Sequence, residues 1–298
     1  MNQTTTPTDS THDGFSEIWL SLREPVDHAA RDISLTSQLA SWACQKQNLR
    51  VVELGAGTGS NLRYLLPTLG HHQHWTVFDK DPELIGKLPD LLEPWAVEND
   101  CELRLVNADL KLQHARYSAT INCKITDLAR NLETIAADGM DLITASALLD
   151  LTSSQWLDKL AGLISDHQSA CLFALNYDGL VHWQPELEAD EAVTELLNQH
   201  QLSEKGFGKA LGPAAGNYLA QRLQHLGRQT AVCASPWRID STLKGLQLAI
   251  VEGWAKAATE QAGGNTAITR IWEEARVNAI NKGQSTLRVG HNDVLSLP

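Results

Sequence analysis

The sequence predicts a doubly wound α/β fold: a mostly parallel sheet with N-terminal helices and an inserted helical cap. Three observations predict it. Residues 51–59 read Val-Val-Glu-Leu-Gly-Ala-Gly-Thr-Gly, an apolar strand running into a turn with glycine at every second position. The next apolar stretch, 74–78, ends in an acid, Asp79. From 50 to 175, strand-length apolar runs alternate with helical stripes, the pattern of βα units on a parallel sheet. Such sheets bind ligands outside the carboxyl ends of their strands.

Each element has its own warrant. Residues 1–14, rich in Thr and Asp, read as a disordered tail, and 15–298 as a single domain. Phe15, Ile18, Trp19 and Leu22 share a helix face that should stop before Pro25, and a second helix is expected over 26–46. These form an N-terminal helical cover, 15–48. Strand one is 50–54. The helix from Ser60 carries Leu62, Leu65, Leu66 and Leu69, and Pro67 should kink or end it. Strand two is 74–78. Asp81-Pro82-Glu83 starts a helix with an aspartate cap and a proline in the first turn, broken near Pro89 and Pro94. Residues 120–125 serve as strand three, because Asp127-Leu128 follows, and 102–106 as an added hairpin arm. Strand four is 141–144, followed by a helix capped by Ser153 or Ser154; strand five is 170–175. Residues 176–227 are polar, glycine-containing and weakly helical, and read as a cap or lid. Strand six is 230–239. Two helical stripes follow, then a strand-like end at 286–297.

Composition narrows the function. The 298 residues carry a net charge of −12, which argues against a surface for nucleic acid or anionic lipid. No apolar run approaches membrane-spanning length and nothing resembles a signal peptide, so a cytoplasmic location is expected. The five cysteines never form C-x-x-C, and no zinc spacing occurs.

The glycine turn admits two cofactor types. A dinucleotide fingerprint needs a third glycine where this chain has Ser60, and no Lys/Arg cluster follows to meet a pyrophosphate. The arrangement Glu53-x-Gly55-x-Gly57-x-Gly59 instead resembles motif I of the class I S-adenosylmethionine (SAM) methyltransferases, whose sheet is Rossmann-like. The resemblance covers 50–175, plus the terminal strand pair by topology, and it implies a Rossmann-like seven-stranded sheet whose last strand, 286–297, is antiparallel. It implies SAM as cofactor and a small-molecule methyl acceptor. By resemblance, Glu53, Gly55, Ala56, Gly57 and Gly59 meet the amino-acid end of SAM, and Asp79 the ribose hydroxyls, with Lys80 beside the adenine. Asp127 and Leu128 would receive the adenine, a role for which Asp109 competes. Ser146 would face the methionine portion or the acceptor. Arg23, in a pre-sheet helix with Asp27, His28 and Arg31, would pair with the cofactor's carboxylate.

Methyl transfer from a sulfonium needs alignment more than proton traffic, but an oxygen acceptor needs a base. Candidate catalytic residues near the strand ends are Asp150, Tyr177, His182 and His200, with Asp178 also in reach. Lys205 and Phe207, in the glycine-rich stretch 199–217, are candidate substrate contacts, as are Asn176 and Trp183. Trp183 and Trp237 lie among polar neighbours in sequence and suit stacking on a flat acceptor. The acids and asparagine after strands four and five stand in a different order from the Mg²⁺-dependent catechol-type enzymes, so no metal is expected. Two rivals remain open: an NAD(P)-dependent oxidoreductase, and a non-catalytic metabolite-binding protein of the same fold. The acceptor, the atom methylated and the oligomeric state are left open.

Overall fold

The computed structural model describes residues 16–264 and 267–298; the tail expected at 1–14 lies outside them. The chain runs α1 (Glu17–Ala30), α2 (Ile33–Ala43), β1 (Asn48–Leu54), α3 (Ser60–Leu69), β2 (His71–Asp79), α4 (Pro82–Gly86), α5 (Leu88–Glu98), β3 (Glu102–Val106), β4 (Asp109–Gln113), β5 (Tyr117–Ile125) and β6 (Leu142–Ser146). It continues α6 (Ser154–Asp166), β7 (Ala170–Gln184), α7 (Asp190–Gln201), α8 (Ala215–His225), β8 (Gln229–Ala234), β9 (Trp237–Ile239), α9 (Lys244–Gln261), α10 (Ala267–Asn281) and β10 (Thr286–Leu297).

The strands form one sheet, ordered β3-β4-β5-β2-β1-β6-β7-β10-β8, with β9 also pairing β10. Strands β5, β2, β1, β6 and β7 are mutually parallel. β10 lies antiparallel between β7 and β8, as the sequence reading expects of the terminal strand. Among the described residues the expected seven strands become ten. The β3–β4 hairpin extends one edge antiparallel, and the stretch read as strand six is divided into β8 and β9.

Apolar side chains alternate across the strands and fill both faces. Leu49, Val51, Trp75 and Val77 meet α2, α3 and α5 through Leu39, Leu62, Leu66 and Leu92. Val52, Leu54, Phe78 and Ile143 meet α6 and α8 through Leu157, Leu160, Leu219 and Leu223 on the other face. A third cluster joins the outer half of β7, β9 and the start of β10 to α1, α7, α9 and α10, with Trp183, Trp237, Ile250 and Trp272 at its centre.

Three expectations change. α1 does not stop before Pro25 but continues to Ala30, and α2 begins only after its cap, Asp32, whose carboxylate accepts from the Leu35 amide at 2.8 Å. An interior proline costs about 3 kcal/mol. Beyond Pro25, Val26 enters the core and Asp27 and His28 make tertiary hydrogen bonds that offset this cost. α3 likewise passes Pro67 and ends at Gly70, and α5 passes Pro94. The third change concerns the cap. Residues 176–184 continue β7, and α8 packs back on the sheet as an ordinary crossover helix. The helices covering the outer ribbon are α7 together with α9 and α10, the last two between β9 and β10.

Candidate functional site

Four adjacent strand tips, β5, β2, β1 and β6, set the residues assigned to the cofactor side by side. In parallel register Leu54 pairs Phe78, Asp79 pairs Ile125, and Glu53 pairs Thr144. Asp127-Leu128, Asp79-Lys80, the turn 55–59 and Ser146 therefore follow one another across three strand gaps of about 4.8 Å. The row spans about 14 Å, comparable to an extended nucleoside carrying an amino-acid arm.

The turn is held from both sides. Gly55, Gly57 and Gly59 have φ of +62°, +53° and +84°, a region closed to most side chains. The Ala56 amide donates to the Phe78 carbonyl at 2.9 Å, and the Gly57 amide to Asp79 Oδ2 at 2.6 Å. Asp79 Oδ1 accepts from the Asp81 amide at 2.9 Å, and burial raises the Asp79 pKa against these bonds. Both oxygens keep further lone pairs. Lys80 is exposed beside it.

Asp127 is partly exposed, with Oδ1 accepting from the Ala129 amide at 3.0 Å. Leu128 is buried and its carbonyl accepts from Trp156 Nε1 at 2.9 Å. The Thr126 amide donates to the Asp79 carbonyl at 2.8 Å, which keeps this tip against β2. Asp109 sits instead on the edge hairpin, where Asn122 donates to it at 2.7 Å. The competition between the two acids is one of distance from Asp79, and Asp127 stands closer in the strand order.

Beneath the turn Glu53 is fully buried, Oε2 has no partner, and burial pushes its pKa up to about 8. Arg31 lies near, also buried. Its Nη1 donates to Asn61 Oδ1 at 2.8 Å, its guanidinium is 4.4 Å from the Tyr64 ring centroid, and Nε lies 3.8 Å from Asp293 Oδ2; among the described residues Nε and Nη2 have no hydrogen-bond partner. α1 closes over this region. Arg63 binds Glu24 at 2.7 and 2.5 Å and the Thr58 carbonyl at 2.7 Å, and His28 Nε2 lies 3.0 Å from the Ser60 carbonyl.

The acceptor-side candidates divide. Asp150, in a 3₁₀ turn at Leu149–Leu151, is buried with Oδ1 unpartnered, and desolvation lifts its pKa to about 6 while Arg23 and Lys205 pull it down. Arg23 pairs with Asp27 at 2.8 Å and its guanidinium lies 5.2 Å from the Trp237 ring centroid. Ser146 is half-buried at the end of β6. Lys205 Nζ is 3.3 Å from His200 Nδ1, and burial lowers its pKa.

Other candidates serve different ends. Tyr177 donates its hydroxyl to Asn198 Oδ1 at 2.8 Å and burial raises its pKa, so it is a poor base. His182 is exposed on β7, opposite Arg288, because strand alternation turns Trp183 inward and His182 out. His200 is committed to Glu260 of α9 at 3.2 Å as well as to Lys205. Trp183 is core, not a stacking wall: it is 3% exposed, with edge contacts to Trp254 and Trp272 and the Arg276 guanidinium 4.7 Å from its ring. Asn176 faces α8, donating to the Phe173 and Asn292 carbonyls at 2.9 Å. A Cβ at Gly216 would come 3.2 Å from Asn176 Cβ, so glycine lets α8 lie this close. Phe207 stacks edge-on to Trp156 at 5.2 Å and anchors its loop.

Sequence reasoning missed Asn61, His291 and Asp293. Asp293 accepts from the Leu175 amide, Ser235 Oγ and the Asp32 amide at 2.8, 2.6 and 3.0 Å, pinning three segments together. The available signal was His291-Asn292-Asp293, a polar run inside an otherwise apolar strand. Among the described residues no group of three or more His, Cys, Asp or Glu side chains is placed to hold a metal, and no helix is long and apolar enough to cross a membrane.

No protein-family model and no curated protein matches the chain. Solved structures do resemble it. The cyclopropane synthase MmaA2 from Mycobacterium tuberculosis aligns over 96% of each chain with a TM-score of 0.50 and 9% identity. YcgJ from Bacillus subtilis gives 0.48 at 12% identity, over 89% of this chain and 98% of its own. A SAM-dependent methyltransferase from Thiobacillus denitrificans, in complex with S-adenosyl-L-homocysteine, gives 0.43 at 13% identity, over 95% and 99%. The strand order and the first of these likenesses agree: the chain has the class I SAM-dependent methyltransferase fold.

Proposed function

We propose that the protein is a SAM-dependent methyltransferase acting on a small polar or aromatic metabolite. The observation that carries this reading is the row of groups on four neighbouring strand tips, with the Asp79 carboxylate 2.6 Å from the Gly57 amide at its centre. The residues fit the cofactor in charge as well as in shape. Glu53 Oε2 and Arg31 Nη2 are buried beside the turn without hydrogen-bond partners among the described residues, while Arg31 Nε lies 3.8 Å from Asp293, an arrangement suited to a zwitterionic amino-acid arm. Arg63, at the start of α3, is taken up by Glu24 and Thr58, which leaves it unfit for a pyrophosphate and counts against a nicotinamide dinucleotide.

Bound there, SAM would supply an electrophilic methyl group on a sulfonium. The chain's own work is positional. Asp79 would accept the ribose hydroxyls, and the backbone at Asp127 and Leu128 would border the adenine. Ser146 and the glycine turn would hold the amino-acid arm, and α1 would exclude water above it. Asp150 is the acid best placed to take a proton from an acceptor.

Calorimetric titration with SAM, S-adenosylhomocysteine and NAD⁺ tests the reading. Micromolar-range binding of the first two and none of the third is expected, and the reverse order would sink it. Methyl transfer to any acceptor then separates an enzyme from a non-catalytic binder.

A further inference from the structure

The sheet ends in β3, and the outer edge of that strand pairs with no other strand among the described residues. β3 and β4 form a hairpin whose turn residues, Asn107 and Ala108, have φ of +53° and +69°, the left-handed pair of a two-residue turn. Hydrogen-bonded and non-bonded pairs alternate away from such a turn. Val106, Arg104 and Glu102 therefore bond β4 through their main chain, and Leu103 and Leu105 turn theirs outward. The strand has no proline, its register with β4 runs without a bulge, and Leu105 is 71% exposed. Lys111 and Gln113, beside Arg104 and Glu102 on β4, are exposed as well, so no helix overhangs the edge on that face.

Glu102 and Arg104 share one face of β3, 60% and 69% exposed, and bond each other at 2.5 Å. Charge on an edge strand normally keeps copies of a chain apart. A pair of opposite sign does so only in some registers. Antiparallel pairing of two β3 strands about Arg104 sets Arg104 on Arg104 and Glu102 on Val106. Pairing about Leu105 sets Arg104 on Val106 and Leu103 on the turn residue Asn107. Pairing about Leu103 sets Glu102 on the partner's Arg104 and Arg104 on the partner's Glu102, so that charges alternate in sign across one face. It also brings the outward main-chain groups of the two Leu103 residues opposite each other, in phase for hydrogen bonding. On the other face the exposed Leu105 comes against the partner's Cys101, which is half-buried. The opposite edge of the sheet, β8, reads Gln-Thr-Ala-Val-Cys-Ala and has no charge to select a register.

We propose that two copies of this chain associate through β3, paired antiparallel about a two-fold axis at Leu103, so that the sheet of one continues into the sheet of the other. A contact of this kind uses the same patch on both copies, closes on itself and stops at a dimer. β3 lies two strands out from β5, the nearest strand of the cofactor row, so that row stays open in both copies. The inference is therefore independent of the methyltransferase reading. Five residues a side make a small contact, and a dissociation constant of about 1–100 µM is expected.

Sedimentation equilibrium of the full chain, carried to about 500 µM, tests this. The wild-type protein is expected to pass from monomer to dimer. Glu102→Arg and Arg104→Glu each put like charges opposite one another twice, and each is expected to weaken the dimer about tenfold; the double charge swap should restore it to within about threefold. Arg104→Ala separates the registers, since it weakens a dimer centred on Leu103 and tightens one centred on Arg104. These side chains are exposed, so the variants should keep their fold, which circular dichroism checks. A monomer throughout the range, association unchanged by the single reversals, no recovery in the double swap, or tightening by Arg104→Ala overturns the proposal. Species larger than a dimer also overturn it, because β3 pairing head to tail with β8 would not close.

Discussion

The Asp79 carboxylate, at the end of β2, accepts a 2.6 Å hydrogen bond from the amide of Gly57, in the turn after β1. One side chain thus shapes the turn and remains placed to receive hydroxyl groups from a ligand lying across it. Asp79→Ala is expected to weaken SAM binding by about 1–3 kcal/mol through lost charge-assisted hydrogen bonds. Calorimetry on the variant measures this, and unchanged affinity removes the ribose assignment.

Gly57 itself carries a second prediction. Its φ is +53°, and a Cβ there would stand 3.2 Å from Leu20 Cδ1 of α1. Gly57→Ala should cost about 1–2 kcal/mol from the left-handed conformation alone, plus a steric part. Urea unfolding of Gly57→Ala with and without Leu20→Ala divides the two: relief by the second substitution reports the contact, and what remains reports the backbone.

Glu53 sets a pH dependence. Its pKa rises from 4.5 to about 8 on folding, chiefly by burial, with Asn61, Arg63 and Arg31 opposing. Between those values the folded chain holds a proton that the unfolded chain has lost. The stability linked to this group is therefore fully present below about 4.5 and is lost as pH rises through about 8. Glu53→Gln should flatten that decline. Urea midpoints compared from about pH 5 to about pH 9 provide the check, and parallel curves for the two proteins would falsify the assignment.

Trp183 distinguishes core from site. Packed among Trp254, Trp272 and the Arg276 guanidinium, Trp183→Ala should lose about 3–5 kcal/mol of stability. A stacking wall would behave otherwise, with near-normal unfolding and impaired acceptor binding. Arg276 also binds Asp190 at the start of α7, so this tryptophan sits where α7, α10 and β7 are joined.

The cofactor side was legible because its signals are local. An apolar strand, a turn that demands left-handed glycines and an acid at the next strand tip are all short-range features, and the parallel sheet brings them together by a general rule. The choice between Asp127 and Asp109 was not legible in the same way: the strand that begins at Asp109 was not recognised, and only its pairing with β5 puts that acid on an edge hairpin. The late cap was misplaced because strand and coil look alike in a polar stretch. Residues 176–184 form a strand only through pairing with β10, more than a hundred residues away.

What the sequence by itself determined was the sheet, the glycine turn and the acid opposite it, since period-two burial and turn chemistry act within a few residues. Only the tertiary structure decided which buried groups are left without partners. Asp150 Oδ1, Trp19 Nε1 and Glu53 Oε2 come from a turn, the first helix and the first strand, and no local pattern marks them. Trp19 meets Trp237 because α1 runs on through Pro25 to Asp27, which binds Trp237, and because β9 lies beside β10. Long-range packing paid the cost of both, and propensity along the chain does not record it.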